Sequence, residues 1–170
     1  MRIRLLACAL VALAAFTPSL GAQARQAAPP PAKPAATPAP AAATIGPNDI
    51  AVTLNYTGKG VIDATHKVML ILFAEPTVGP NSQPVRCCGG PMFVSKNNTT
   101  VTFKEVPTKP VYVFAIYDEA GTGYNAQNGP PPNGTPVGMY MKAGTVATPV
   151  TPGSKTPIKF SFSGAKKWGQ

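Results

Sequence analysis

Acidic residues and histidine are scarce in this chain: of 170 residues, six are aspartate or glutamate and one, His66, is histidine. The metalloprotease pattern H-E-x-x-H and the hydrolase pattern G-x-S-x-G are both missing from the sequence. Acid–base and nucleophilic catalysis mostly draws on paired carboxylates, histidine or an activated nucleophile. We therefore predict a protein without catalytic residues and without a cofactor.

Clustered positive charge is also missing, although lysine and arginine total 15 and the formal net charge is +9. Beyond residue 24, the only adjacent basic residues are Lys166 and Lys167. Nucleic-acid-binding proteins usually gather their positive charge into a patch or stripe. The dispersed charge predicts a solvated basic surface and no nucleic-acid partner.

No hydrophobic run is long enough for a membrane span, because the longest one, residues 5–16, has 12 residues and a bilayer needs about 20. This run follows Arg2 and Arg4 and precedes an Ala-x-Ala site at Ala22 and Ala24. The pattern is typical of a secretory signal peptide. We predict a signal over residues 1–24, cut after Ala24, and a periplasmic or secreted bacterial protein with no integral membrane segment in the mature chain.

The segment after the predicted cut is rich in proline and alanine. Residues 25–44 contain nine alanines and six prolines and no large apolar side chain. Such a segment cannot bury enough surface to offset its ordering entropy, and proline favours an extended polyproline II conformation. We predict a disordered linker over residues 25–48, either a spacer or an inert tail, then a folded domain over 49–165 and a short C-terminal tail over 166–170.

Short apolar segments, separated by Gly, Pro and Asn, indicate β-structure from residue 50 onward. In "IAVTLNY", Ile50, Val52, Leu54 and Tyr56 alternate with smaller or polar residues and predict one buried face. "KVMLILFA" and "VYVFAIY" are continuous apolar runs, which are typical of central strands. The seven predicted strands are residues 50–56, 67–74, 92–94, 100–103, 111–117, 138–142 and 158–162.

Seven short strands in about 120 residues predict an all-β fold, an antiparallel seven-stranded Greek-key sandwich. The order "HKVMLILF", "TVTFKEVP", "VYVFAIYDEAGTG" resembles that of the transthyretin-like and carboxypeptidase-regulatory-like sandwiches. More narrowly, it resembles a group of secreted bacterial domains in which a core strand runs into a D-x-N-x-N-G loop. Asp118 and Gly123 match that loop, whereas Ala120 and Thr122 stand where the group has asparagines. The resemblance implies a transthyretin-like or Ig-like fold and no enzymatic activity.

A long loop from residue 118 to 136 is the main candidate site. Loops of this length in compact domains are usually functional or disordered, and "GPPPNG" stiffens half of this one. Its aromatic, amide and carboxylate groups suit a polar or glycan-like ligand, although a rigid cover over one end of the sandwich is equally compatible with the sequence. The candidate ligand-binding residues are Asp118, Glu119, Tyr124, Asn125 and Asn128.

The same loop is a degenerate calcium motif. Counted from Asp118, the third and fifth ligand positions hold Ala120 and Thr122, and position 12 holds Gly129 instead of glutamate. We predict no metal site, and expect the Asp118 carboxylate to accept backbone N–H groups in its own turn. Gly121 and Gly123 then supply the positive φ that such a turn requires.

Two adjacent cysteines, Cys87 and Cys88, remain after the predicted removal of Cys8 with the signal. Exported thiols are usually oxidised, and adjacent Cα atoms lie closer than in most disulfides. A vicinal disulfide is our first interpretation. Free thiols, an intermolecular bridge, and a soft-metal site with an outside ligand such as Met92 are the alternatives.

Taken together, these patterns predict an exported, non-enzymatic module that binds or has a structural role in the bacterial envelope, with an envelope protein or a glycan as partner. One alternative is a metal- or redox-linked module using Cys87 and Cys88 or the Asp118 loop. A further alternative is a hydrolase-type enzyme using Asp118, Glu119 and His66, which requires the histidine to lie against one of the two carboxylates.

Overall fold

The structure is a computed structural model, and it describes residues 44–79 and 86–170. The predicted signal peptide, its cut after Ala24 and the linker up to residue 43 lie outside the described residues. Within the described part the fold is all-β, with one 3-10 turn and no α-helix. The elements are β1 (Ile50–Tyr56), β2 (Val68–Phe73), β3 (Met92–Val94), β4 (Thr100–Phe103), β5 (Tyr112–Tyr117), the 3-10 turn (Ala126–Asn128), β6 (Val137–Met139) and β7 (Ile158–Phe162).

The seven strands form two sheets, a three-stranded sheet in the order β4-β1-β7 and a four-stranded sheet in the order β3-β2-β5-β6. The prediction of a wholly antiparallel fold is wrong for one pair, because β1 and β7 run parallel, with Leu54 opposite Phe160. β7 reaches β1 only after the chain has passed through the other sheet, so no hairpin forces the two strands into opposite directions. Sequence patterns identify strands but do not give their directions.

The inner faces of the two sheets share one hydrophobic core. The predicted buried face of β1 is confirmed, since Ile50, Val52, Leu54 and Tyr56 are all buried in it. Alternate residues of β2 and β5 meet them from the four-stranded sheet, as the two-residue side-chain period of a strand requires. The members from those two strands are Val68, Leu70, Leu72, Val113, Ala115 and Tyr117.

The outer face of the four-stranded sheet is buried as well, which explains the continuous apolar runs of β2 and β5. Its side chains belong to a second cluster, separate from the inner core, that also contains Ala126, Val137 and Trp168. A strand that is covered on both faces needs apolar residues at every position. The members of this cluster from β2 and β5 are Met69, Ile71, Phe73, Phe114 and Ile116.

Both predicted ends of the domain are held by hydrogen bonds. Residues 166–170, predicted as a tail, lie beside the segment before β6: the Trp168 N–H donates to the Thr135 carbonyl at 2.8 Å, and the Gly134 N–H donates to the Trp168 carbonyl at 2.8 Å. At the other end, the Asn48 carbonyl accepts from the Val106 N–H at 2.7 Å. The folded unit therefore includes residues that composition alone assigns to a linker and a tail.

Strand β6 is shorter than the predicted 138–142. The Tyr140 N–H still donates to the Val113 carbonyl at 2.9 Å, but the Tyr140 carbonyl accepts from the Thr148 N–H at 2.9 Å and the Lys142 N–H donates to the Thr148 hydroxyl at 2.8 Å. These bonds turn the chain away from the sheet. No helix in the described part of the chain is long and apolar enough to cross a membrane.

Candidate functional site

The long loop begins where β5 ends. The Asp118 N–H donates to the Lys67 carbonyl at 2.9 Å, and the next residues turn away from the sheet. The Asp118 carboxylate then accepts four hydrogen bonds: from the N–H and the hydroxyl of Thr122, both at 3.0 Å, from the Gly123 N–H at 2.7 Å and from the Tyr124 N–H at 3.1 Å. The predicted turn around Asp118 is confirmed.

Gly121 makes this turn possible. Its φ is +63°, in the region that favours glycine, and that of Gly123 is +72°. A Cβ on Gly121 would also lie 2.7 Å from the Thr65 side chain. The glycines therefore allow the backbone to fold around one carboxylate, as the sequence predicted.

The hydrogen bonds lower the pKa of Asp118. Burial acts to raise the pKa of this carboxyl, but the N–H groups of Thr122, Tyr124 and Gly123 and the Thr122 hydroxyl together outweigh burial and hold the pKa below its usual value. Because the folded-state pKa is the lower one, the carboxylate stabilises the fold above the unfolded-state value of about 4. That stabilisation is lost as the pH falls through the folded-state pKa.

We expect Asp118→Ala to lower the free energy of unfolding by about 1–2 kcal/mol at neutral pH, as the loss of a cap-like group does. The difference from wild type should shrink as the pH falls below about 4 and then through the lower folded-state pKa, because the carboxyl of the folded wild type becomes protonated there. Urea unfolding at several pH values measures both effects. Asp118→Asn, which keeps one acceptor oxygen, should lose less stability than Asp118→Ala.

Calcium tests the degenerate motif in the same proteins. We expect the melting midpoint of wild type and of Asp118→Ala to be unchanged by calcium or by a chelator, because the two positions that would add ligands hold Ala120 and Thr122. A calcium-dependent rise in the wild-type midpoint that disappears in the variant would contradict this expectation and identify the loop as a metal site.

Glu119, Tyr124 and Asn125, three of the other predicted ligand-binding residues, make contacts within the loop or to the C-terminal segment. Glu119 pairs with Lys167, Oε2 to Nζ at 3.2 Å, and the Tyr124 hydroxyl donates to the Gly129 carbonyl at 2.8 Å. Asn125 caps the 3-10 turn, accepting from the Gln127 N–H at 2.7 Å, and Asn128 is the last residue of that turn.

His66 does not join the two loop carboxylates through any hydrogen bond among the described residues. Its Nδ1 lies 3.1 Å from Oδ1 of Asp63, which also accepts from the His66 N–H at 2.7 Å. The imidazole is thus the partner of a third acid, three residues before it in the chain. The arrangement that the hydrolase alternative requires, with His66 hydrogen-bonded to Asp118 or Glu119, is not formed.

Cys87 and Cys88 form a disulfide between neighbouring residues. Both are partly buried and pack against the inner core. The Cys87 N–H donates to the Leu72 carbonyl at 3.1 Å, which holds this segment beside β2. Across the described ranges, no three His, Cys, Asp or Glu residues are grouped so that they could hold a metal ion.

One feature of the loop was not predicted: it borders an apolar cleft, which we call the outer cleft, on the outer face of the four-stranded sheet. The cleft has a volume of about 430 Å³. Its floor is the sheet, its walls are loop residues and Trp168, and Arg86 lies at its rim. The lining residues that matter below are Ile71, Phe73, Phe114, Tyr124, Pro131 and Trp168.

The prolines after Gly129 bear on the alternative in which the loop is a rigid cover over one end of the sandwich. Pro130 and Pro131 line the outer cleft and lie over a sheet face, not across one end of the sandwich. The unbroken apolar runs of β2 and β5 were the signal for this arrangement, because alternate residues of such runs need a second cover. Arg86 carried no signal in the sequence.

A second depression adjoins the outer cleft and shares Ile116 and Tyr124 with it. Asp118 and Asn125 line this depression together with Phe93, whose exposed fraction is 46%. Of the predicted loop residues, Tyr124 thus lines the outer cleft, and Asp118 and Asn125 line the depression beside it. Comparisons of this chain with protein-family models, with curated proteins and with solved structures found no match.

Proposed function

We propose that this chain is an exported, non-enzymatic binding module of the bacterial envelope and that it binds a small ligand in the outer cleft. Export rests on the signal-like pattern of residues 1–24 and on the linker composition. The ligand site rests on the space between the loop and the outer face of the four-stranded sheet. An envelope protein or a glycan as a further partner, and a redox role for Cys87 and Cys88, remain predictions.

The size and lining of the outer cleft are the observation that carries this proposal. A cover whose only role is to bury an apolar face packs closely against it, because protein interiors have few voids larger than a water molecule. Here a space of about 430 Å³ remains, within the range of small-molecule sites. Phe114, Tyr124 and Trp168 line it, and aromatic rings are the usual walls of ligand sites.

The non-enzymatic part of the proposal is supported by the partners of the three candidate catalytic groups. Asp118 accepts bonds from its own loop, Glu119 pairs with Lys167, and His66 is hydrogen-bonded to Asp63. A general base must reach the proton that it removes, and these groups each have a separate structural partner.

We further infer that the two sheets form a Greek-key sandwich of the transthyretin-like type. Support comes from the distribution of consecutive strands between the sheets, since the chain crosses from one sheet to the other after β1, β3, β4 and β6. The position of Asp118 and Gly123 directly after the central strand β5 agrees with the resemblance noted above.

Binding of the neutral dye Nile red tests the outer cleft. We expect wild type to enhance its fluorescence, and Val78→Trp, which places an indole on the lining, to weaken binding about tenfold or more. Val61→Trp is the matched control, since Val61 is 69% exposed and does not line the cleft. Equal binding by wild type and Val78→Trp, or no binding by wild type, would refute the site.

A further inference from the structure

Among the described residues that line the outer cleft, Arg86 is the one with a formally charged side chain; the others are apolar or neutral. It is exposed at the rim, and its Nη2 donates to the Ala126 carbonyl in the 3-10 turn of the loop. A guanidinium has five N–H groups, and this bond uses one of them. The cleft therefore combines an apolar floor with a cationic donor at its mouth.

No acid of this chain neutralises Arg86. All six acids of the sequence lie within the described residues, and none of the ion pairs among those residues includes Arg86. Asp118 is occupied by the hydrogen bonds of its own turn. The other acids with side-chain partners are Asp49 with Lys104, Asp63 with His66 and Glu119 with Lys167.

Backbone contacts hold Arg86 and the residue after it beside β2. Arg86 forms an antiparallel bridge with Phe73 at the end of β2. The next residue, Cys87, donates its N–H to the Leu72 carbonyl and is bonded through sulfur to Cys88. A cation that is already positioned loses less conformational entropy when a ligand binds to it.

We propose that the outer cleft selects a small amphipathic anion, with an apolar body that lies on Phe114 and Trp168 and a carboxylate that pairs with Arg86. This inference rests on the proposed function of the same cleft. Arginine matches a carboxylate with two parallel N–H···O bonds. The net charge, +9 for the full chain and +7 without Arg2 and Arg4 of the predicted signal, attracts anions over longer distances. The sheet floor contributes the hydrophobic part of the affinity.

Quenching of Trp168 fluorescence measures binding directly, because Trp168 is the only tryptophan of the chain and lines the cleft. The probes are 10-bromodecanoate and 10-bromodecanol, which share an apolar body and a contact quencher and differ in charge. The proteins are wild type, Arg86→Gln, Arg86→Lys and Lys109→Gln, all at neutral pH. Lys109→Gln removes an equal charge from an exposed residue that does not line the cleft.

We expect wild type to bind the carboxylate about tenfold more tightly than the alcohol, the size of a charge-assisted hydrogen bond. In Arg86→Gln this ratio should fall to about one, with alcohol binding unchanged. Arg86→Lys should keep part of the ratio, and Lys109→Gln should keep all of it.

Equal binding of the two probes by wild type would overturn the proposal, and this result does not depend on whether any variant folds. The proposal would also be overturned if Arg86→Gln kept the wild-type preference for the carboxylate over the alcohol. If both bromo probes bind equally and Val78→Trp still weakens the binding of Nile red, the proposed ligand class is wrong but the outer cleft remains a binding site. If wild type binds neither bromo probe, this inference fails, and the Nile red result then decides whether the proposed function fails with it.

Discussion

Replacing Trp168 by alanine is expected to lower the free energy of unfolding by about 3 kcal/mol, although the residue is third from the end of the chain. The indole is only 7% exposed and meets Phe114 edge-on, with ring centroids 6.4 Å apart. Its removal leaves part of the outer face of the four-stranded sheet, around Phe114, less well covered. Urea unfolding followed by far-ultraviolet circular dichroism measures the change, since the fluorescent tryptophan is lost.

Trp168→Phe is the control for this prediction. A phenyl ring keeps most of the contact with Phe114, so the loss should be below about 1.5 kcal/mol. A chain that ends at Ala165 should be at least as unstable as Trp168→Ala, because it also loses the hydrogen bonds of Trp168 to residues 134 and 135. A stability of the truncated chain equal to that of wild type would show that this segment is a tail after all.

Tyr117→Ala is expected to cost about 4 kcal/mol, because it removes one of the largest fully buried side chains from the inner core. The Tyr117 ring lies 4.7 Å from the ring of Tyr56, centroid to centroid, and its hydroxyl donates to the Val61 carbonyl at 3.0 Å. Its backbone N–H donates to Pro136 at 2.9 Å, directly before the Asp118 turn. The variant should therefore weaken the start of the loop as well as the core.

Tyr117→Phe separates packing from hydrogen bonding. This variant keeps the ring and loses only the bond to Val61, so we expect a loss of about 1–1.5 kcal/mol in the same urea unfolding measurement. A loss in Tyr117→Phe as large as in Tyr117→Ala would mean that the ring contributes little and that the inner core does not depend on this packing.

The strands were predictable because each one is short and its pattern is local. The bounds of β1, β3, β4 and β7 agree with the sequence prediction residue for residue. Strand β2 is one residue shorter than predicted at each end, and β5 begins one residue later than predicted. The β6 prediction extended too far, since Tyr140 and Lys142 bond to Thr148. A bond between distant residues leaves no mark in a local pattern.

The candidate site was predictable only in part. The turn around Asp118 was foreseen because a carboxylate followed by Gly121 and Gly123 forms its bonds within seven residues of chain. The outer cleft was not foreseen, because Arg86, Phe114 and Trp168 come from three separate parts of the sequence. The partner of His66 is a different case, because Asp63 lies only three residues before it in the chain and the pair was missed although it is local.

The sequence by itself determined the all-β character, the strand segments, the alternating face of β1 and the Asp118 turn. Each of these depends on side-chain period or on groups a few residues apart, which physical chemistry constrains locally. Only the tertiary structure decided that β7 runs parallel to β1, that Trp168 covers the outer face, and that Arg86 stands without an acid at the rim of the cleft. These features depend on which segments meet in space, and burial of apolar surface drives that choice without specifying it in any short stretch of sequence.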